Sequence, residues 1–355
     1  MPLDQYYLLG RSGLRVSRLA LGTMNFGTGG FHAAYGKTED EVRPIFRKYL
    51  DEGGNFLDTA DFYTAGESET ILGKLIAETG TRDRVVLTTK FTNSVDPADP
   101  NAGGNGRKHM IRALEASLRR LGTDYVDLFL LHTWDRITPV EEVVRTFDDL
   151  VRAGKIRYPG LSDVPSWYAA RAQTYAEAHS LAPMINLQLP YSLVQREIET
   201  EHVPMGQELG LGVTAWSPLA GGFLTGKYRD GGAGRFSDAG NQWTDRDWQL
   251  LKPLEQVAAQ LGVTMAQVAI NWVATQPGIA SAIVGASSAE QLGKSMAALD
   301  FELPAEQRKL LDEASAVAPA SVYRMFTAEY QNWIVSPGLK VGTKPAGYAP
   351  AVRNW

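Results

Sequence analysis

Three observations predict an α/β fold whose parallel sheet closes into an eight-stranded (β/α)8 barrel. Short apolar runs alternate with helix-patterned stretches from about residue 14 to 300, about eight of each can be counted, and no G-x-G-x-x-G motif follows the first run. Alternation implies parallel strands, because a helical crossover returns the chain to the same end of the sheet. The count favours closure over an open doubly wound sheet, which would carry the missing glycine motif between its first strand and helix. The glycine clusters at 27–30, 103–106 and 231–234 lack that spacing and read as loops.

The elements follow in order. "YYLLGRSGLRVSRLALG" is a pair of short alternating runs about a glycine turn, a hairpin feeding a strand at about 16–21. "KTEDEVRPIFRKYLDEGG" has a Thr cap signal, acids in its first turn, apolar residues three and four apart and a glycine stop, which together make a helix. The strand "NFLDTA" comes next, and further strands fall at about 85–90, 125–132, 156–162, 184–189, 212–217 and 279–285. The longest loops, roughly 91–106 and 218–243, both follow strands, so in a barrel they lie on the catalytic face. No composition break divides the chain, which reads as one domain over residues 1–355. Its tail, about 315–355, has no steady helical period and is expected to cross the barrel mouth or pack at an interface.

Composition narrows the function. A formal net charge of −5 argues against nucleic acid or an anionic membrane as the main partner, leaving a small molecule. No run approaches the ~18 apolar residues of a membrane span, and "MPLDQYYLLGRSG" lacks the features of a signal peptide, so a cytoplasmic protein is expected. With no cysteine, a thiolate metal site, a disulfide and a cysteine nucleophile are excluded. Only five histidines occur, with no His-x-His pair at a strand end, which speaks against a metal centre.

Strand after strand ends in one polar residue: Asp58, Lys90, His132, Ser162, Gln188 and Trp216. In a closed parallel barrel these ends converge on one mouth, and Tyr63, a few residues into its loop, can lean over it. A buried lysine needs a counter-ion, so Asp58 and Lys90 are expected to pair. A cation beside Tyr63 is expected to lower its pKa and suit it to proton transfer, with His132 holding a carbonyl oxygen. Trp216 offers a stacking face, while Ser162 and Gln188 can hydrogen-bond a carboxamide.

At these residues the sequence resembles the aldo-keto reductase superfamily, through "NFLDTADFY", "TTK", "YVDLFLLH", "GKIRYPGLSD", "NLQLPYSL", "AWSPLAGGFLTGKY" and "IVGASSAEQL", over nearly the whole chain to about residue 315. The resemblance implies a TIM barrel binding NADP(H) and catalysing reversible hydride transfer between nicotinamide and a carbonyl or alcohol. It assigns Tyr63 as general acid/base, Lys90 and Asp58 as the pair that tunes it, and His132 as the group orienting the carbonyl. It places Thr23, Met24 and Asp58 at the nicotinamide ribose, Ser162, Asp163 and Gln188 at the carboxamide, and Trp216 on the ring. Ser217, Pro218, Leu219, Gly221 and Gly222 would wrap the pyrophosphate with Lys227 and Arg235, and Gly285, Ser287, Gln291 and Ser295 would carry the adenosine end. Two positions depart from many relatives: Asp163 stands where they have Asn, and "GASSAEQLGKS" has serines where they carry an arginine for the 2′-phosphate. NADP(H) is expected ahead of NAD(H), with Lys294 or Arg235 in place of that arginine.

Phe26, Phe31, His32, Trp134, Tyr323, Phe326 and Trp333 would make an aromatic substrate pocket, favouring an aldehyde, ketone or sugar-like alcohol with a flat or apolar face. One rival reading is a Schiff-base aldolase using Lys90. Another is a nicotinamide-binding regulatory module resembling potassium channel β subunits, against which His132 in "LLHTWD" favours catalysis.

Overall fold

A computed structural model describes residues 3–229, 243–318 and 320–334. The chain divides into two compact units, Met1–Ser315 and Ala316–Trp355.

In the first unit, β1 (Tyr6–Leu8) pairs antiparallel with β2 (Arg15–Ser17), and the chain enters β3 (Leu19–Gly22) after a break at Arg18. The run expected at about 16–21 is thus shared between hairpin and barrel. Seven strands complete the sheet: β4 (Phe56–Asp58), β5 (Val86–Phe91), β6 (Val126–Leu131), β7 (Ile156–Ser162), β8 (Asn186–Pro190), β9 (Gly212–Trp216) and β10 (Ile279–Val284). They pair in parallel, in chain order from β3 to β10, and β10 returns to β3 with Ala282 opposite Leu19, closing the predicted eight-stranded barrel. Gly10 turns the hairpin at φ +58°, and a side chain there would collide with the backbone of Ile185, Gly210 and Gly212. The hairpin therefore seals the end of the barrel at which β8 and β9 begin.

The helices are α1 (Glu39–Asp51), α2 (Glu67–Thr79), α3 (Arg107–Leu121), α4 (Val140–Arg152), α5 (Ser166–Ala178), α6 (His202–Leu209), α7 (Asp245–Leu261), α8 (Met265–Ala274), α9 (Ala289–Met296) and α10 (Ala305–Ala314). The Thr38 signal at α1 is a capping box with Glu41, and Val42, Ile45, Phe46 and Tyr49 are the face it buries. Most of the core lies between sheet and helices. A smaller cluster, including Leu9, Val16, Phe56, Val86, Leu128 and Ile185, fills the hairpin end of the barrel. Among the described residues no single helix is long and apolar enough to cross a membrane.

The second unit contains α11 (Ala328–Ile334) after a 3-10 turn at Ser321–Phe326. Here Tyr323 meets Phe326 edge-on at 5.6 Å, and Phe326 and Trp333 are exposed.

Candidate active site

Asp58 is the last residue of β4, Lys90 the penultimate residue of β5, and His132 follows β6. Parallel closure brings all three to one mouth. Lys90 is fully buried; its Nζ donates to Asp58 Oδ1 at 2.7 Å, the Thr59 carbonyl at 2.7 Å and the Tyr63 hydroxyl at 3.3 Å. Burial alone would lower the lysine pKa, but Asp58 and then Tyr63 outweigh it and leave it raised. Gln188 Nε2 donates to the other Asp58 oxygen at 2.8 Å. The amide expected at a carboxamide thus also braces the ion pair.

Tyr63 corrects an expectation. Its pKa is raised, not lowered: burial disfavours the phenolate more than Lys90 favours it, and Asp58 offsets part of the lysine charge. The phenol keeps its proton at neutral pH.

The Tyr63 ring sits edge-on to His132 at 5.9 Å and to His32 at 5.4 Å, with Phe62 at 5.1 Å. Burial, then Lys90 and His32, hold the His132 pKa well below the ordinary imidazole value. With the ring neutral, the Asn93 amide 3.3 Å from Nδ1 donates to it, which leaves the proton on Nε2.

The other predicted residues separate into facing and structural groups. Ser162 ends β7 with a buried hydroxyl that has no partner. Asp163 follows in a left-handed conformation, φ +46°, and its Oδ1 accepts from Trp216 Nε1 at 3.1 Å. Trp216 itself is half-buried at the end of β9. Ser217, Ala220, Gly221 and Gly222 have φ of 55°, 49°, 64° and 94°, a run of left-handed turns in which Ala220 N–H donates to the Ser217 carbonyl. A Cβ at Gly222 would lie 2.6 Å from Lys227 Cε, so this lysine borders that loop. Pro218 is buried, and the Leu219 carbonyl accepts from Gly222 N within the loop. Ser287 N and Oγ both donate to Gln291 Oε1, Ser288 caps α9, Ser295 is buried, and a side chain at Gly285 would meet nothing closer than 3.9 Å. Lys294 pairs with Glu290 on the exposed face of α9. Arg235 lies outside the described residues.

The orphaned Ser162 hydroxyl, the partly open Trp216 ring and the left-handed loop beside Lys227 fit a nicotinamide nucleotide. Some expected contacts serve the fold instead. Thr23 is buried, its Oγ1 donating to the Asp58 carbonyl and shared with Ser68, while Met24 beside it is half-buried. Phe26 is a core residue and not a pocket wall, because the chain folds back after β3 and Thr64 Oγ1 donates to its carbonyl. Trp134 packs edge-on against Trp167 at 5.4 Å and its N–H donates to the Asp163 carbonyl. The side chain of Phe31 is outside the described set, and Tyr323, Phe326 and Trp333 belong to the second unit.

Sequence reasoning missed Asn93, Phe62 and Asp61. Asn93 sits three residues past Lys90, a spacing that could have flagged it. Asp61, between Asp58 and Tyr63 in the chain, is buried with no side-chain partner for either carboxylate oxygen. Burial first, then Glu69, push its pKa up to about 8. Glu69 is itself held by Arg120 at 2.6 Å and Thr89 at 2.5 Å.

The aldo/keto reductase family model matches residues 18–316. The chain is 38% identical over 319 residues to an uncharacterised oxidoreductase of Bacillus subtilis, covering 87% of this chain and 95% of that one. It is 35% identical over 333 residues to a putative voltage-gated potassium channel subunit beta of Schizosaccharomyces pombe, covering 89% and 95%. It is 31% identical over 354 residues to norsolorinic acid reductase of Aspergillus flavus, covering 94% and 89%. A match from β3 through α10, on a closed barrel whose strand ends carry the motif residues, shows that this chain belongs to the aldo/keto reductase family.

Proposed function

We propose that this protein is an oxidoreductase that interconverts a carbonyl and its alcohol, using NADP(H) in preference to NAD(H), in the cytoplasm. The observation that carries the reading is the Lys90 ammonium, bonded at once to Asp58 and to the Tyr63 hydroxyl beside neutral His132. A bound nicotinamide would supply or accept the hydride. Tyr63 would hand its proton to the carbonyl oxygen as negative charge builds there, a transfer favoured because an alkoxide is the stronger base. Lys90 stabilises the phenolate left behind, and Asp58 keeps Lys90 charged and in place. His132 Nε2–H points the carbonyl oxygen at the phenol.

Ser162, Asp163 and Gln188 would hold the carboxamide, Trp216 the ring face, and the loop from Ser217 to Gly222 with Lys227 the phosphates. Phe62, half-buried beside the Tyr63 and His132 rings, favours a substrate with a flat or apolar face. The relatives named as potassium channel subunits favour a second reading, a regulatory module that binds nicotinamide without turnover.

The test has two steps. Saturable quenching of tryptophan fluorescence by NADPH or NADH is expected on titration, and no binding of either would overturn both readings. Tyr63→Phe should then cut NADPH-dependent reduction of a panel of aldehydes and ketones by about 10³-fold while cofactor affinity stays within about threefold. Undiminished turnover in that variant overturns the role of Tyr63, and binding without turnover in the wild type favours the regulatory module.

A further inference from the structure

Asp163 occupies an unusual place for an acid. Its backbone is left-handed at φ +46°, a conformation that Asn, Asp and Gly adopt at least cost. Its N–H donates to the Gln188 carbonyl and its own carbonyl accepts from Trp134 N, so the residue is fixed on both sides. Oδ1 accepts the indole N–H of Trp216 at 3.1 Å. The carboxylate is close enough to Lys90 and Tyr63 that Lys90 favours its ionised form and that it, in turn, disfavours the Tyr63 phenolate. Among the described residues these are the charged and titratable groups that reach it. Gln188, Trp134 and Trp216, packed on it from β8, the β6 loop and β9, carry no charge.

A nicotinamide that lies on Trp216 and reacts beside Tyr63 has this carboxylate at its edge. We propose that Asp163 sets how the site divides its affinity between the oxidised, cationic nicotinamide and the reduced, neutral one, acting as a negative charge locked to Trp216. The inference rests on the cofactor reading above. A fixed anion favours the cation, so the ionised residue biases the site toward the oxidised nucleotide and toward taking up hydride from an alcohol. Burial pushes the Asp163 pKa up to about 6, so acidification removes the bias within an accessible range. Tyr63 and Lys90, both raised, keep their protons across that range.

The experiment titrates wild type and Asp163→Asn by calorimetry with NADP+ and NADPH, and with NAD+ and NADH, at pH 7.5 and 5.5. The ratio of the oxidised to the reduced dissociation constant is the readout, and it cancels the 2′-phosphate titration that both forms of NADP share. At pH 7.5 the substitution should move the ratio about tenfold toward the reduced form, ~1.4 kcal/mol. At pH 5.5 the wild-type ratio should approach that of the variant, whose own ratio stays put. An Asn oxygen can still accept from Trp216, so in a 15N spectrum the Trp216 indole resonance, assigned through Trp216→Phe, should hold in Asp163→Asn. It should move in Asp163→Gly, which keeps the left-handed backbone.

A ratio within twofold of wild type in Asp163→Asn overturns the proposal, as does a wild-type ratio indifferent to pH. An indole shift in Asp163→Asn as large as in Asp163→Gly also overturns it, since geometry and not charge would then be the variable. If none of the four nucleotides binds the wild type, the nicotinamide reading falls and this inference with it. Binding with an unmoved ratio defeats only the role of Asp163.

Discussion

The two ends of the barrel use similar residues to different ends. Where the hairpin seals it, a network built on Tyr49 and Asn55 joins one piece of structure to another, although Arg18 Nε and Asn186 Oδ1 there lack partners. The Tyr49 hydroxyl contacts Ser17 Oγ at 2.7 Å, the carbonyls of Leu19 and Phe56 at 2.8 and 2.9 Å, and the Phe56 N–H at 3.0 Å. Asn55 bridges Ser17 N and the Arg15 carbonyl, and Ser281 donates to the Ser17 carbonyl. At the mouth an ion pair is buried, the Ser162 hydroxyl has no partner, the Asp61 oxygens have no side-chain partner, and Thr92, Asp163 and Ser217 have positive φ. Unsatisfied groups and strained backbone each cost of order 1–3 kcal/mol. The contrast is one of kind: at the sealed end the hydrogen bonds join structure to structure, while the mouth holds a buried ion pair and a serine hydroxyl with no protein partner.

That contrast can be broken by experiment. Lys90→Met should abolish turnover and destabilise the fold by ~3–5 kcal/mol, because Asp58 is left buried and unpaired. Adding Asp58→Leu should recover most of the stability and none of the turnover, as read by denaturant melts beside assays. A double variant no more stable than Lys90→Met would place the penalty in packing. At the sealed end, Tyr49→Phe should cost ~2 kcal/mol and leave turnover within about twofold, since its hydrogen bonds only join structure.

Asp61→Asn should act in the opposite direction. The folded pKa of Asp61 is raised to about 8, so the folded state holds a proton that the unfolded chain releases above about pH 4. Stability is therefore lost as pH rises from about 4 to 8, and Asp61→Asn should be more stable than wild type by ~5 kcal/mol at pH 8 and nearly equal to it at pH 4. An equal gain at both pH values would rule out ionisation as the cause. The smallest effect is expected from Asn93→Ala, which frees the His132 ring. Its kcat/KM should fall about tenfold, ~1.4 kcal/mol, with KM for NADPH unchanged. An unchanged kcat/KM would show that the ring needs no such anchor.

Much of this is legible in the sequence. Strand count, the hairpin and the Thr38 cap follow from local pattern, which is set by residues near one another in the chain. The polar residues at strand ends were legible for a different reason: a closed parallel barrel converts "last residue of a strand" into "faces the mouth". The misreadings share a cause. Phe26 reads as a pocket wall and Tyr63 as an acidified phenol in the sequence because burial, which decides both, depends on how the β3 loop and the helices pack. Asp61 and Asn93 escape local pattern because the first is buried only once β4 packs beside β5 and α2, and the second meets His132 only once β5 lies beside β6.

The sequence alone determined the barrel, the set of chemical groups at its mouth and the presence of an acid at position 163, since each depends on residue type and spacing along the chain. The tertiary structure decided which of those groups are paired, which are orphaned, and that Lys90 fails to lower Tyr63. Those outcomes depend on desolvation and on distances of a few ångströms between strands far apart in sequence, and no local pattern encodes them.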